Sequence, residues 1–392
     1  MGTKMSQNPF ETFYNLNDIM EGLDIERALS IYRVIDTDGR VVADKEPDLP
    51  RELLLNMYIY MIRTRILDGW LLKLQRMGKV ALHAPNIGEE AVSVGSALSL
   101  SKEDWVFPYY RNIGVFIARG VSEEEIIDRN MANIDDPFKG KEFTILGSKR
   151  HRIGPVTVPV GNQIPHAVGF ALGARIAGEN IVVMTIFGDG ATSRGGFHAG
   201  LNFAGIHRLP VVFVIENNQW AISVPVKKQT GSPTFAIKGV AYNIPGIRID
   251  GNDVIAVYIT AKEAVDRARE GKGPTLIEAV TYRMGPHTTA DDPSRYRPPE
   301  EVKRIERYDP IQRFRRYLID RGYISEKEDK EIYEEWSRKI EDIVRKCLSK
   351  PQLPEEVIFD DVYSKRFWNL EEQVSEFRES LEIMKKLGVR VE

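Results

Sequence analysis

The sequence predicts an α/β fold: a parallel sheet with helices on both faces, carrying helical additions at its N- and C-terminal ends. Three observations carry this expectation. "IVVMTIF" and "PVVFVIE" are short runs, almost wholly apolar, as strands buried on both faces must be. Each lies among small-residue segments of helical character, the strand–helix alternation of parallel sheets. The first run also passes directly into "GDGATSRGG", a glycine-rich turn of the kind that joins a strand to a helix at a ligand site.

In chain order, residues 1–50 lack sustained apolar periodicity and read as an arm, with "DTDGRVV" and "DKEPDLP" as loops. "PRELLLNMYIYMIRTRILDGWLLKLQRMGK" predicts a long helix, with Pro50 in its first turn and Gly78 at its end. Its apolar residues are dense enough to require burial on more than one side. "NQIPHAVGFALGARIAGE" and "GGFHAGLNFAGIHRL" read as small-residue helices around the first strand. After "PVVFVIE" come "GIRIDG" as a strand end, "VIAVYITAKEAVDRAREG" as a helix and "PTLIEAVTYR" as a strand. From Pro298 the composition turns charged and helical. There Ser325 and Glu328 match a capping box, and Ile332, Trp336, Ile340, Ile343 and Cys347 share one helical face. The expected regions are an arm over 1–50, a ligand-binding α/β domain over 51–297 and a helical region over 298–392.

A chain of 392 residues with net charge −3 offers no global attraction for nucleic acid or for an anionic membrane. The single cysteine, Cys347, excludes an intrachain disulfide framework, suits a reducing cytoplasm and reads as a core filler. No apolar run is long enough to cross a bilayer. The opening "MGTKMSQNPFETFYNL" has neither an apolar signal core nor an arginine-rich transit character, so a cytoplasmic location is expected. Met1, Gly2 and Ser6 fit a myristoylation pattern formally, without a polybasic second anchor.

Asp189, wedged between Gly188 and Gly190, raises the chemical question. A carboxylate repels a bare phosphate, so a metal ion must stand between them if this turn binds one. The next strand, after a crossover helix, ends in "ENNQWAIS". If the two strands are neighbours, Asp189 and the Asn217–Asn218 pair emerge on one rim of the sheet, where ligands of open parallel sheets bind. An Asp carboxylate, an Asn amide oxygen and a loop carbonyl are hard ligands suited to Mg²⁺, which completes its shell with phosphate oxygens and water. A dinucleotide fingerprint is the competing reading, with Glu216 as its ribose acid. It has Ser193 where the third glycine belongs and gives no role to Asp189 or to the double asparagine.

The spacing from GDG to NN resembles the thiamin diphosphate signature. The resemblance widens through "GEEAVSVGSAL", "PYYRNIGV", "GNQIPHAVG", "GDGATSRGGFHAGLNFA", "ENNQWAIS", "RIDGNDVIAVY", "YRMGPHTTADDPSRYR" and "IFDDVY". In that order these segments resemble the α subunit of the decarboxylating component of 2-oxoacid dehydrogenase complexes. "SIYRVIDTDGRVV" and "FDDVY" look more like the branched-chain type than the pyruvate or acetoin types.

The resemblance implies that Asp189, Asn218 and the backbone carbonyl of Trp220 hold Mg²⁺, and that Gly188, Gly190 and Ala191 meet thiamin diphosphate through their backbone. It implies that Tyr110 and Arg111 grip the diphosphate and that Val158, Val160 and Ile222 also border the cofactor, Val160 shaping its bent form. His287 is the implied catalytic residue, handling or orienting protons as the acyl group passes on. Its loop, with Asp291, Asp292, Tyr296 and Arg297, should be ordered by internal ion pairs and hydrogen bonds; Thr288 takes the place of a regulatory phosphoserine of mammalian relatives.

Several positions depart from the family pattern. Glu216 stands where some relatives place a phosphate-contacting arginine, which shifts that work to Arg111 and His287. Val158 replaces a serine and Tyr109 a glutamine. Asn162 replaces a threonine, which weakens the case for K⁺ at Thr157, Pro159, Asn162 and Gln163.

The implied reaction is oxidative decarboxylation of a 2-oxo acid and acyl transfer to the lipoyl arm of an acyltransferase. The glutamate that promotes the cofactor's reactive tautomer is expected on a separate β subunit, in an α₂β₂ tetramer. Glu89 and Glu90 are placed by the resemblance at a structural position near subunit contacts. Ala199, Gly200, Ala204 and Gly205 suit either a subunit contact or packing on the sheet. The alternatives are a pyruvate- or acetoin-type α subunit and a non-catalytic assembly subunit; no G-x-S-x-G elbow supports a hydrolase.

Overall fold

The computed structural model describes residues 23–141 and 147–388. The myristoylation pattern at Met1, Gly2 and Ser6 lies outside the described residues. Five parallel strands form the sheet: β1 (Trp105–Phe107), β2 (Val183–Gly188), β3 (Val211–Asn217), β6 (Gly246–Asp250) and β7 (Thr275–Val280), in the order β1-β2-β3-β7-β6. A short antiparallel ribbon, β4 (Trp220–Ala221) with β5 (Val224–Pro225), follows β3. Strand β1 was not legible as a strand, because it has three residues and no periodic pattern.

Successive side chains of a strand face opposite ways, and both faces here are covered. Val183, Phe187, Val211, Phe213 and Ile215 join one core with α6 (Gln163–Ile176) and α7 (Gly195–His207). Met184, Ile186, Val212 and Val214 join the other, with α3 (Glu90–Leu98), α4 (Ile113–Ala118), α5 (Glu123–Met131) and α8 (Val254–Arg269). Asp253 caps α8 through the N–H groups of Ile255 and Ala256.

The long helix α2 (Arg51–Arg76) starts one residue later than expected: Pro50 is its N-cap, and Gly78 beyond its end takes φ +69°. Leu54, Met57, Tyr58 and Met61 pack with Phe314, Tyr317 and Leu318 of α10 (Pro310–Asp320). Leu67, Leu71 and Leu74 belong to the sheet-side core instead, so one helix is buried on two sides. The arm, containing the short helix α1 (Ile25–Leu29), lies along the β6 edge, where Tyr32 bridges to Ile249. The N–H groups of Val34 and Ile35 donate to Asp253 at 2.7 and 2.8 Å.

The C-terminal region adds α9 (Pro299–Ile305), α11 (Glu326–Leu348) and α12 (Trp368–Lys386), and the capping box of Ser325 and Glu328 opens α11. Ile340, Val344 and Cys347 are its buried residues. No helix among the described residues is long and apolar enough to cross a membrane.

Candidate active site

The β2–β3 register sets Gly188 opposite Glu216, so Asp189 and the asparagines leave neighbouring strands on the same edge. The two asparagines then part company. Asn217 donates to Glu278 at 2.7 Å beneath the edge. Asn218 faces a cavity of about 240 Å³ together with Asp189. Tyr110, Arg111, Val160, Gly188, Gly190, Ala191, Trp220, Ile222 and His287 also line this cavity. Val158 does not; its half-exposed side chain lies in the loop before α6.

Gly188 leaves open space where a Cβ would project, whereas a Cβ on Gly190 would come within 2.8 Å of that of Ala221. The turn therefore presents bare backbone to the cavity and sits tightly on the ribbon behind it. Asp189 is 1% exposed. Burial pushes its carboxyl up to about 6, against hydrogen bonds from Gln229 and from its own backbone. The Gln229 amide donates to Asp189 Oδ2 at 2.5 Å. Asn218 is oriented from the other side: its Nδ2 donates to Glu89 at 3.0 Å, leaving Oδ1 as its acceptor, within reach of the Trp220 N–H at 3.2 Å.

The opposite wall is cationic. Arg111 is fully buried, donates to the carbonyls of Pro85 and His287 at 2.6 and 3.0 Å, and lies 3.6 Å from Glu89. Arg283 is also buried and donates to the carbonyls of Trp220 and Ile222 at 3.0 and 2.7 Å. Both guanidiniums reach His287 Nδ1, at 3.1 and 3.4 Å. A guanidinium only donates, so Nδ1 is the acceptor and the imidazole carries its proton on Nε2. Burial, then Arg111 and Arg283, bring His287 down to about 4 against the pull of Asp291, so the ring is neutral at pH 7.

Hydrogen bonds tie the His287 loop, as expected, but none of the ion pairs expected within it is present among the described residues. His287 N–H and Tyr296 O–H both donate to Asp291, at 2.7 and 2.5 Å. Arg297 donates to the carbonyls of Arg283, Met284 and Gly285 at 2.5, 3.2 and 3.0 Å, and Asp292 caps the turn at Pro293–Arg295. Around the K⁺ position that the departure at Asn162 counts against, Thr157 bonds to Gln163 and to the Pro159 carbonyl, while Asn162 is exposed. Gly200 and Gly205 make internal contacts: a Cβ would meet Ile164 at 2.9 Å and the Tyr242 carbonyl at 2.3 Å, which favours packing over a subunit contact for these two.

Three residues of the site were not assigned from sequence. Glu89, expected to be structural, lies under the cavity between Asn218 and Arg111. Arg283 sits in a quoted segment and Gln229 in none, and only the folded chain returns them to His287 and Asp189. Glu216 turns inward, accepting from Asn112 at 2.8 Å. Burial and the nearby charge of Glu89 hold its carboxyl well above the ordinary range. Arg283 supplies a guanidinium on the wall where position 216 supplies none.

A family profile described as "Dehydrogenase E1 component" matches residues 58–356. The 3-methyl-2-oxobutanoate dehydrogenase subunit alpha of Mycobacterium tuberculosis is 42% identical over 351 residues, 89% of this chain and 94% of that protein. The pyruvate dehydrogenase E1 component subunit alpha of Acholeplasma laidlawii is 44% identical over 353 residues, 89% of this chain and all of that protein (100%). The human mitochondrial 2-oxoisovalerate dehydrogenase subunit alpha is 39% identical over 338 residues, 86% of this chain and 76% of that protein. With the profile spanning most of its length and two of these relatives matched nearly end to end, the chain belongs to the dehydrogenase E1 component family.

Proposed function

We propose that this chain is the α subunit of a thiamin diphosphate-dependent 2-oxoacid dehydrogenase, binding the metal–diphosphate half of the cofactor for oxidative decarboxylation. The observation that carries the reading is the pairing, in one cavity, of an acidic oxygen corner with a cationic wall. The residues fit the cofactor's charged end. Arg283 Nε is buried without a hydrogen-bond partner, Arg111 Nε faces the Glu89 carboxylate at 3.6 Å, and Gly188 leaves its backbone bare. A buried donor left unpaired is costly, and an anion beside the Arg283 guanidinium would satisfy it.

Asp189 and Asn218 would hold Mg²⁺ with the Trp220 carbonyl, which keeps one lone pair beyond its bond to Arg283. Arg111, Arg283, Tyr110 and His287 would receive the diphosphate. When bound, thiamin diphosphate supplies the electron sink for loss of CO₂. The chain's own work is to bind and orient. His287 offers an Nε2–H donor at the cavity wall, and Asp291 and the two arginines fix its ring. In this neutral form the Nε2–H can donate a hydrogen bond to an oxygen near the reacting centre, while Nδ1 stays engaged by the two arginines.

A β subunit completes the site, as expected for an E1 α chain, in an α₂β₂ assembly that passes the acyl group to a lipoyl acyltransferase. Branched-chain 2-oxo acids are the proposed substrates, supported by two of the three relatives named above; the pyruvate-type relative makes pyruvate the competing substrate. The test is 2-oxo-acid-dependent dye reduction by the complex isolated through this chain, with thiamin diphosphate and Mg²⁺ supplied. Branched-chain acids should exceed pyruvate, and Asp189→Asn should abolish turnover. Bound cofactor and β partner without reduction by any acid would leave a non-catalytic assembly subunit instead.

A further inference from the structure

Gln229 belongs to no motif and does not line the cavity, yet it bonds to the side chain on which the metal corner depends. The chain after Asn218 turns back on itself through the β4–β5 ribbon. Val226 N–H donates to the Gln219 carbonyl at 2.9 Å, and Gln229 N–H donates to the Val226 carbonyl at 3.0 Å. This folding returns Gln229 to Asp189, forty positions earlier. Its Nε2 donates to Asp189 Oδ2 and to the Val224 carbonyl at 2.5 and 3.0 Å. Two acceptors on one side fix which amide atom is nitrogen. The other atom, Oε1, is buried and has no hydrogen-bond partner.

We propose that Gln229 is a positioning residue for the metal: its amide N–H pins one oxygen of Asp189 and leaves the other to the cation, and its free Oε1 accepts from a water on the bound ion. This rests on the metal site proposed above. Mg²⁺ binds through few carboxylates and keeps several waters, so a carboxylate fixed at one oxygen and a buried acceptor beside it suit that ion. An amide also orients Asp189 without adding charge, whereas a lysine there would compete with the cation. The same ribbon carries Trp220, so one short segment would supply both a carbonyl ligand and the support for the carboxylate ligand.

The test uses the assembled complex stripped of metal and titrated with Mn²⁺ in the presence of thiamin diphosphate, free Mn²⁺ being read by electron paramagnetic resonance. Gln229→Met keeps the length and removes the donor; Mn²⁺ affinity should fall about 10–100-fold, as when other outer-shell partners are lost. Gln229→His, whose Nε2–H stands close to the place of the glutamine amide, should recover much of it. Lys228→Ala, on the same turn, should leave affinity unchanged. Gln229→Met binding within about twofold of the parent overturns the proposal, provided that Asp189→Asn has lost binding. If Asp189→Asn binds normally, the metal-site reading itself has failed. Should Gln229→Met not assemble, Gln229→Asn keeps the polar amide but is one methylene too short to reach Asp189, and parental affinity in that variant overturns the proposal equally.

Discussion

Glu124, Asp128 and Asp135 gather three carboxylates whose oxygens lie within 4.8 Å of one another, the spacing of a cation site. Lys350 already fills it, its ammonium 2.7, 2.7 and 2.9 Å from the three. At Asp189 the arrangement is reversed: a nearly inaccessible carboxylate meets an amide donor but no paired cation among the described residues, and the neighbouring guanidiniums look toward carbonyls and His287. The difference teaches how to tell structure from function in an acidic cluster. A cluster that already holds its own lysine is a tertiary tie between α5 and the end of α11. A buried carboxylate kept without its counter-ion costs stability, and the chain recovers that cost when a cation arrives.

The largest expected effect comes from removing the unneutralised charge. Asp189→Asn should weaken metal-dependent cofactor binding by more than the ~100-fold of an outer-shell loss, measured by Mn²⁺ titration. The metal-free protein should respond oppositely. The Asp189 carboxyl titrates near 3.8 unfolded and about 6 folded. Between those values the native state binds more protons, so parental stability falls as pH rises from about 4 to about 6. The variant lacks this decline, and melting curves at pH 5 and 7 compare the two. For the parent, cation and cofactor binding should weaken as pH falls through about 6, because the ligand must ionise. A pH-independent affinity there would break the comparison.

Lys350→Met removes the ammonium shared by the three carboxylates and leaves only Lys346, paired with Glu124. It should cost about 2 kcal/mol, less than the about 3–5 for breaking a fully buried pair, because water screens the partly exposed Asp135. Denaturant midpoints measure the loss, and added Ca²⁺ should restore part of it. Parental stability in the variant would mean a solvated face rather than a tie.

A smaller effect is expected at Arg283, whose fork holds the carbonyls of Trp220 and Ile222. Arg283→Lys keeps the charge but not the fork, and should raise the cofactor dissociation constant about tenfold, ~1.4 kcal/mol, by calorimetry. An unchanged constant would leave Arg111 and His287 as sufficient. Smallest is Ile222→Gly. Ile222 takes φ +54°, an outlier for a β-branched residue, at a ribbon tip that Arg283 holds. Its side chain is 55% exposed, so glycine should add about 1 kcal/mol to metal-free stability. No gain would mean that the tip is unstrained.

The sheet was legible because strands covered on both faces must be apolar throughout, and β2 and β3 are. The capping box at Ser325 and the buried Cys347 were legible from local pattern alone. Asp189 stood out because a carboxylate between two glycines after a strand makes no sense as packing. Strand β1 gave no such signal at three residues, and Pro50 fell one position outside its helix, where cap and first turn share the same residue preferences.

What the sequence determined by itself was therefore what is local: periodicity, caps, and the spacing from the GDG turn to the double asparagine that marks the cofactor class. Only the tertiary structure decided which asparagine faces the cavity, that Glu89 lies beneath it, and that Gln229 and Arg283 return to Asp189 and His287. The reason is physical. Hydrogen bonds between side chains 40 to 176 positions apart leave no periodicity in the chain, and whether a charge is paired depends on a neighbour that only folding supplies.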